Sequence, residues 1–288
     1  MMASSSIPPL EVERESTATE PNWLELPRDL TINILQRLDT IEIVTSVCQV
    51  CPLWWNICKD PHMWHTISMI LCSHYDYWQW LRMDLATICR YSVERSCGQL
   101  EGIDIDFSLT DDLFKYISDC ASHLRRIRVV TFDAADSLSE KGFIEGIKKL
   151  SMIEELEISY PFKLSRNSIE VVGGSCPLLK SLTCMLTSDM KTGKSDDELF
   201  AIAKSMPRLR HLKIAGNNLS SDGVLAILNE CSLLESLDLG LCFRLDWSER
   251  LRKRCYDQIK DFKLPVDYQL MKMTNEISSL RLLTNVLE

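Results

Sequence analysis

Apolar side chains recur along this chain with two different periods, and the change from one to the other divides it. Residues 1–21 carry few large apolar groups among Ser, Thr, Glu and Pro, too few to offset chain entropy by burial, and are expected to form a disordered tail. From Asn22-Trp23-Leu24-Glu25-Leu26-Pro27 onward, Trp, Leu and Ile become dense. Leu30, Ile34, Leu35 and Leu38 fall at helical spacing, and Pro27 is tolerable near a first turn, where its missing N–H leaves nothing unsatisfied. Ile43, Val44, Val47, Val50, Cys51, Trp54 and Trp55 predict a second helical run, and the short Leu38-Asp39-Thr40-Ile41 connection predicts an antiparallel-like pair. The 45 residues from 23 to 67 hold more apolar groups than two short helices can hide in one seam, so part of that surface is expected to meet another chain.

Beyond about residue 98 a repeat takes over. The template Leu-x-x-Leu-x-Leu, with Ile or Val allowed, appears as Leu100-Ile103-Ile105, Leu124-Ile127-Val129, Ile153-Leu156-Ile158, Leu179-Leu182-Cys184, Leu209-Leu212-Ile214 and Leu234-Leu237-Leu239. Successive first positions lie 24, 29, 26, 30 and 25 residues apart, in or near the ~20–29-residue period of leucine-rich repeats, each one strand and one helix of a solenoid. Thr110, Ser139, Ser195 and Ser221 are the expected helix caps, Ser195 forming a capping box with Glu198. Each helix ends on Cys120, Leu150, Cys176, Met206 or Cys231, so several cysteines are expected to be small buried hydrophobes. A helix over 82–95 and an incomplete strand over 64–69 would cap the open end of the solenoid, and 247–259 reads as a charged helix closing the other end. The residues after Leu264 carry no assignable pattern.

The balance of 32 Lys+Arg against 41 Asp+Glu gives a net charge of -9, which repels a phosphate backbone and leaves an anionic membrane without attraction, so neither nucleic acid nor membrane is expected as a partner. No stretch reaches the roughly 20 apolar residues of a spanning helix; the most apolar region, 67–81, is broken by His74 and Asp76. Met1-Met2-Ala3-Ser4-Ser5-Ser6 lacks the basic flank and apolar run of a secretory signal. The 12 cysteines are therefore expected to be reduced, in the cytoplasm and/or nucleus, and the sequon Asn218-Leu219-Ser220 is read as chance.

Trp23-Leu24-Glu25-Leu26-Pro27-Arg28-Asp29-Leu30, Ile34-Leu35-Gln36-Arg37-Leu38, Val47-Cys48-Gln49-Val50-Cys51-Pro52-Leu53-Trp54 and then Trp64 resemble an F-box. Followed by cysteine-containing repeats, the whole is similar to plant F-box/LRR proteins over roughly 22–245. The resemblance implies an α/β fold of N-terminal all-α F-box helices followed by a leucine-rich-repeat solenoid, a curved parallel sheet with outer helices. The expected division is a tail over 1–21, the F-box over 22–66, a solenoid of cap plus about six repeats over 67–245, and a helical cap and tail over 246–288. It further implies a non-catalytic substrate-recognition subunit of an SCF-type ubiquitin ligase, bound to a Skp-type adaptor, and through it to cullin and RING subunits, with an unknown protein substrate on the repeats and no cofactor. The adaptor-contact positions carried over are Leu26, Pro27, Leu30, Ile34, Leu35, Leu38, Val50, Cys51 and Trp54, although Trp54 and Leu35 are equally suited to bracing one helix against the other. The alternative is a repeat scaffold that binds partners without promoting ubiquitination. One departure from the family pattern stands out. The Asn or Cys three residues after each strand is present only as Asn217 and Cys242, with Ser108, Phe132, Pro161 and Thr187 elsewhere, so the first four repeats are expected to be irregular.

Alternation along a strand puts the variable positions on the exposed concave face. In order these are Asp104/Asp106, Arg126/Arg128, Glu155/Glu157, Ser181/Thr183, His211/Lys213 and Ser236/Asp238, with charge sign changing from strand to strand. Cross-strand pairing, worth about 0.2–1 kcal/mol each, and a mixed-charge docking surface explain this pattern equally well. Metal and catalytic readings fare worse. Cys48-Gln49-Val50-Cys51, with Cys58, His62 and His65 downstream, lies in an apolar run without a second CxxC, so no metal site is expected. Gly173-Gly174-Ser175 lacks the lysine and spacing of a phosphate loop, and no histidine sits in a recognisable nucleophile context.

Overall fold

The inward leucine column of the repeats is the spine of the molecule. In the computed structural model, which describes residues 25–70, 84–130, 138–159, 162–186, 196–217, 219–243 and 245–265, the strands line up in chain order as one parallel sheet of eight. They are β1 (Thr66–Met69), β2 (Gly102–Ile105), β3 (Arg126–Val129), β4 (Glu155–Ile158), β5 (Ser181–Met185), β6 (His211–Asn217), β7 (Ser236–Phe243) and β8 (Asp261–Lys263). The register places Ile67, Ile103, Ile127, Leu156, Leu182, Leu212 and Leu237 side by side, all at most 2% exposed. Burying each aliphatic side chain stabilises by about 1.5–3 kcal/mol, so this row, with the helices packed on it, holds the solenoid together. The solenoid expected from the repeat period is the one observed, with helices α4 (Leu85–Arg95), α5 (Asp111–Cys120), α6 (Glu140–Ile147), α7 (Arg166–Ser175), α8 (Asp197–Ser205), α9 (Ser221–Glu230) and α10 (Glu249–Gln258) following the strands in alternation.

Ahead of the sheet lie α1 (Arg28–Leu35), α2 (Thr40–Thr45), α3 (Pro52–Cys58) and 3-10 turns at Val47–Gln49 and Pro61–Trp64. The single second helix expected from the apolar run is therefore broken into pieces. The first break falls at Ser46, at φ -125 and ψ -59, and Pro52 imposes the second: it cannot donate a backbone hydrogen bond and its ring collides with a preceding turn, so it starts a helix but does not continue one. Cys51 before it is extended at φ -159 and ψ 165, as a residue preceding proline tends to be. Leu35, Ile43, Val47, Cys48, Ile57, Cys58, Met63 and Trp64 close around one another as a small separate core.

Several expected boundaries shift by a residue or more. Helix α4 runs from Leu85, where Asp84 accepts from Thr87 N at 3.0 Å; Arg82, its expected start, lies outside the described residues. Ser220, not Ser221, caps α9, accepting from Asp222 N and Gly223 N, while the Ser221 hydroxyl donates to the Asp246 carbonyl. Helix α5 ends on Cys120 as expected, with Cys120 half-buried; the fully buried Ala121 after it accepts the turn bond from Leu124 N at 3.2 Å. A closing strand, β8, follows α10 and was not expected. Trp23, Leu24, Ser195, Phe132, Pro161, Thr187 and the N-terminal tail lie outside the described residues. Helix α8 has Asp196 at its cap, and that carboxylate accepts from the next cap, Ser220, at its N–H (2.9 Å) and its hydroxyl. The same relay joins α5 to α6, where Asp111 accepts from Ser139 N (2.6 Å) and Oγ (2.7 Å), and joins α6 to α7 through Glu140 and the hydroxyls of Ser165 and Ser168. At these three steps a carboxylate at a cap or in the first turn thus positions the start of the next helix.

Strand length, not irregularity, follows the turn residues: β2, β3 and β4 pair without a shift, and the described register shift lies between Lys213 and Ala215, where β6 meets β7. Strands β2, β3 and β4 are four residues long, whereas β6 and β7, which carry Asn217 and Cys242, run to seven and eight. The Cys242 thiol donates to the Ile214 carbonyl at 3.3 Å, extending the contact between those strands. Cys176 and Cys231 donate in the same manner to the carbonyls of Leu150 and Met206 in the preceding repeats. Burial pushes the thiols of Cys176, Cys184, Cys242 and Cys255 up to about 12, which keeps them protonated and unreactive at neutral pH.

Helix contact is close enough to demand glycine at several places, Gly146 among them. A Cβ on Gly146 of α6 would stand 2.5 Å from the Phe114 ring and 2.7 Å from Ser118 Oγ on α5. Phe114 is itself buried and has nowhere to go. Gly146→Ala is expected to destabilise the protein by about 1–3 kcal/mol despite alanine's better helix propensity. Urea denaturation of the two proteins measures this; an equally or more stable variant would refute the packing argument.

Candidate protein-docking surfaces

The N-terminal helices leave apolar groups uncovered at regular spacing. Pro27, Leu30 and Ile34 recur every three to four residues along one side of α1 and are exposed, Leu30 by 51%. Leu38 just beyond α1, Val50 (59% exposed) and Leu53 are exposed as well, as is Trp55, over whose ring the Lys59 ammonium sits at 5.0 Å. So many large exposed apolar groups on one small unit mark an interaction surface. Of the residues carried over from the family pattern, Leu26, Cys51 and Trp54 are half-buried. Leu35 is 1% exposed and belongs to the small core, so it braces the module and has no surface to offer a partner, contrary to its expected place in the contact set. Leu53 and Trp55, which that pattern omitted, are exposed beside it. Cys48 of the CxxC is buried in the same core, and no cluster of three or more His, Cys, Asp or Glu suited to a metal occurs among the described residues. Nor, among these residues, is any helix long and apolar enough to cross a membrane.

This module is packed directly on the first repeat. Trp64, 1% exposed, donates its indole N–H to the Cys58 carbonyl at 2.9 Å and meets Tyr91 of α4 edge to face, with centroids 6.0 Å apart. Ile41 of α2 is counted in the solenoid core, and the buried Thr40 hydroxyl accepts from Ser68 N of β1 at 2.9 Å. On the sheet side, the His65 carbonyl accepts from both Glu101 N (2.8 Å) and Gly102 N (3.1 Å). Apolar burial and satisfied backbone groups leave no loose linker at this junction.

The exposed side of the sheet is a charge mosaic, held mostly by its own pairs. Arg126 meets Asp104 at 3.2 Å, Arg128 meets Glu157 at 3.2 Å, and Lys263 of the unexpected β8 meets Asp238 at 3.2 Å. Glu155, His211 and Lys213 are exposed on this side. Asp106, expected here, is 9% exposed: β2 ends at Ile105, and Asp106 turns into the structure while its N–H continues the ladder to the Met69 carbonyl at 3.1 Å. Burial raises the Asp104 carboxyl above its ordinary value of 3.8, outweighing the pull of Arg126 and Arg128. A second charged row escaped the alternation argument. One residue before the strands, Arg125 and Lys180 flank Glu154, and Arg210 and Lys260 flank Glu235. The sign change along Glu101, Arg125, Glu154, Lys180, Arg210, Glu235 and Lys260 was its signal. These partly exposed pairs contribute about 0–1 kcal/mol each, so they set register more than stability.

An exposed apolar face on a compact helical module, joined without a linker to a parallel repeat sheet, defines a two-ended adaptor protein. The F-box-like family model matches residues 23–70, the helical module and β1. F-box protein SKIP19 of Arabidopsis thaliana is 41% identical over 92% of this chain and 83% of its own length. F-box/LRR-repeat protein 9 of the same plant is 38% identical over 85% of this chain and 97% of its own length. F-box/LRR-repeat protein 23 is 39% identical over 85% of this chain, which covers 54% of that longer relative. The chain belongs to the F-box proteins, in their leucine-rich-repeat branch. F-box proteins are generally non-catalytic substrate adaptors of SCF ubiquitin ligases, and their F-box generally binds a Skp1-type adaptor.

The row of flanked carboxylates makes stability depend on acid. Lys180 first, then Arg125, hold Glu154 below its ordinary value of 4.5. A carboxyl whose folded value is depressed contributes stability above its unfolded value, and that contribution is lost as pH falls through the folded one. Glu154→Gln is expected to be less stable than wild type by at most about 1 kcal/mol near neutral pH, and the gap should narrow as pH falls below the ordinary carboxyl value of 4.5. Denaturation midpoints across that range test this; a gap independent of pH would show that Glu154 acts through packing alone.

Proposed function

We propose that this protein is the substrate-recognition subunit of an SCF-type ubiquitin ligase, holding a Skp-type adaptor with its helical module and a protein substrate with the exposed side of its sheet. The carrying observation is the uncovered apolar set on the module: Leu30, Ile34, Leu38, Val50, Leu53 and Trp55 stand exposed around a core that is already closed. Folding alone gives no reason to leave them there, whereas a hydrophobic partner does. Family membership supports a Skp-type adaptor as that partner, since the F-box is generally an adaptor-binding unit. Pro27, Leu30, Ile34, Leu38 and Val50 are the positions assigned to direct contact, with Leu26, Cys51 and Trp54 at its half-buried margin. Cullin and RING subunits would then be reached through the adaptor, in the cytoplasm or nucleus.

Because Leu30 and Val50 are more than half exposed, replacing them leaves the core intact. Leu30→Glu/Val50→Glu is expected to keep its circular dichroism spectrum and thermal midpoint while losing co-purification with a Skp-type adaptor by at least roughly tenfold, as for central apolar anchors. Adaptor binding by the folded double variant at the wild-type level, or none by wild type, would sink the assignment.

A further inference from the structure

The two ends of the solenoid are unequally covered. Along the strands the two inward residues, from Ile67 and Met69 on β1 to Leu237 and Leu239 on β7, are at most 5% exposed. At β1 this holds because the helical module lies over the strand: Ile41 of α2 enters the solenoid core, and the Thr40 hydroxyl accepts from Ser68 N. At β8 it fails. The register sets Phe262 beside Leu237, and Leu264 follows two residues on, yet both are only half-buried. Tyr256 of α10 stands edge-on to Phe262, with centroids 6.2 Å apart, and is 60% exposed. Trp247, stacked on the same ring, is half-buried as well. Three aromatic rings and a leucine make an apolar layer at this end, where a repeat stack ordinarily closes on a polar one.

The chain itself supplies a cover. Pro265 is buried at this end, and residues 266–288 continue from it. Nearly half of those residues are apolar, matching the 45% of the whole chain and unlike residues 1–21, so burying them can offset the entropy of ordering them. They fit no repeat template, but Met273, Ile277, Leu280, Leu283 and Leu287 recur every three or four residues, a spacing that a helix gathers on one side. A segment tethered at the apolar layer also meets it at an effective concentration on the order of mM, ahead of any free chain. We propose that residues 266–288 fold back over the end of the solenoid and cover Phe262, Leu264 and Tyr256 with the apolar side that carries Ile277, Leu280 and Leu283. The repeat stack is then closed at one end by the helical module and at the other by its own continuation. This inference is independent of the ligase reading, because it concerns only how the stack ends.

The test places a photo-activated benzophenone side chain at the exposed position of Tyr256 in the full-length protein and maps its cross-links by mass spectrometry. Links to residues 270–288 of the same chain are expected, and none to that segment from the same probe at exposed Lys115 on α5. In parallel, Ile277→Glu/Leu280→Glu/Leu283→Glu is expected to speed hydrogen exchange of the β8 amides by roughly tenfold while leaving β2 to β4 unchanged, since uncovering one large apolar side chain shifts a local opening equilibrium by about that factor. Cross-links found only between two copies assign the layer to self-association, and links only to another protein assign it to a partner; either result, or no link at all, overturns the proposal. So does β8 exchange that the triple variant leaves untouched. Faster exchange in β2 to β4 would reveal misfolding of that variant, and the cross-link map, made without those three changes, then decides alone.

Discussion

Everything else in this protein depends on parallel pairing that keeps the inward apolar positions of successive strands in register. At each step one carbonyl serves two amides: Glu101 O accepts from Arg125 N and Arg126 N, Glu154 O from Lys180 N and Ser181 N, and Arg210 O from Glu235 N and Ser236 N. Because side chains alternate with a period of two, a slip of one residue would send the leucine row into solvent and bury the charges. The apolar row therefore fixes which residues face outward, and the outward residues form the matched ion pairs. The charge mosaic could not exist without that register.

The helix side has a different bond between repeats. Carboxylates at Asp111, Glu140 and Asp196 reach forward to the hydroxyl caps of the following helix, so each repeat contributes to the start of the next. Nearest-neighbour coupling of this kind, added to the sheet ladder, is what makes a stack of short units cooperative. The ends need separate solutions. At the first, α2 and Trp64 cover the core; at the last, Trp247 stacks on Phe262 with centroids 5.5 Å apart, and α10 lays Leu251 and Cys255 into the core.

Where an element buries one regular row, its sequence discloses it. The six templates found by spacing are the six strands β2 to β7, and their central residues are paired as that spacing requires. Strand β8 was not legible because a three-residue strand offers only Phe262 between Asp261 and Lys263, with no second inward leucine to set a period. Periodicity also failed across Pro52, where apolar spacing continues although the backbone cannot. For the candidate surfaces, sequence pattern located the module and the strands but not the exposure of individual residues. Leu35 and Leu30 look alike in the motif, yet one lies at 1% and the other at 51% exposure, a difference decided by which side of α1 meets α2 and α3. Asp106 was misplaced for a related reason: alternation holds only as far as the strand does.

The junction at β1 has a mechanical meaning. This strand lies within the F-box family match by chain position and within the sheet by hydrogen bonding, with Thr40, Ile41, Trp64 and Tyr91 locked across it. The two ends of the protein consequently behave as arms of one bracket, and whatever each arm grips is presented to the other at a set distance and angle. In the ligase proposed above, such a bracket would discriminate by reach as well as by grip: among the lysines of a captured substrate, only those the frame carries up to the transferring enzyme would become sites of attachment.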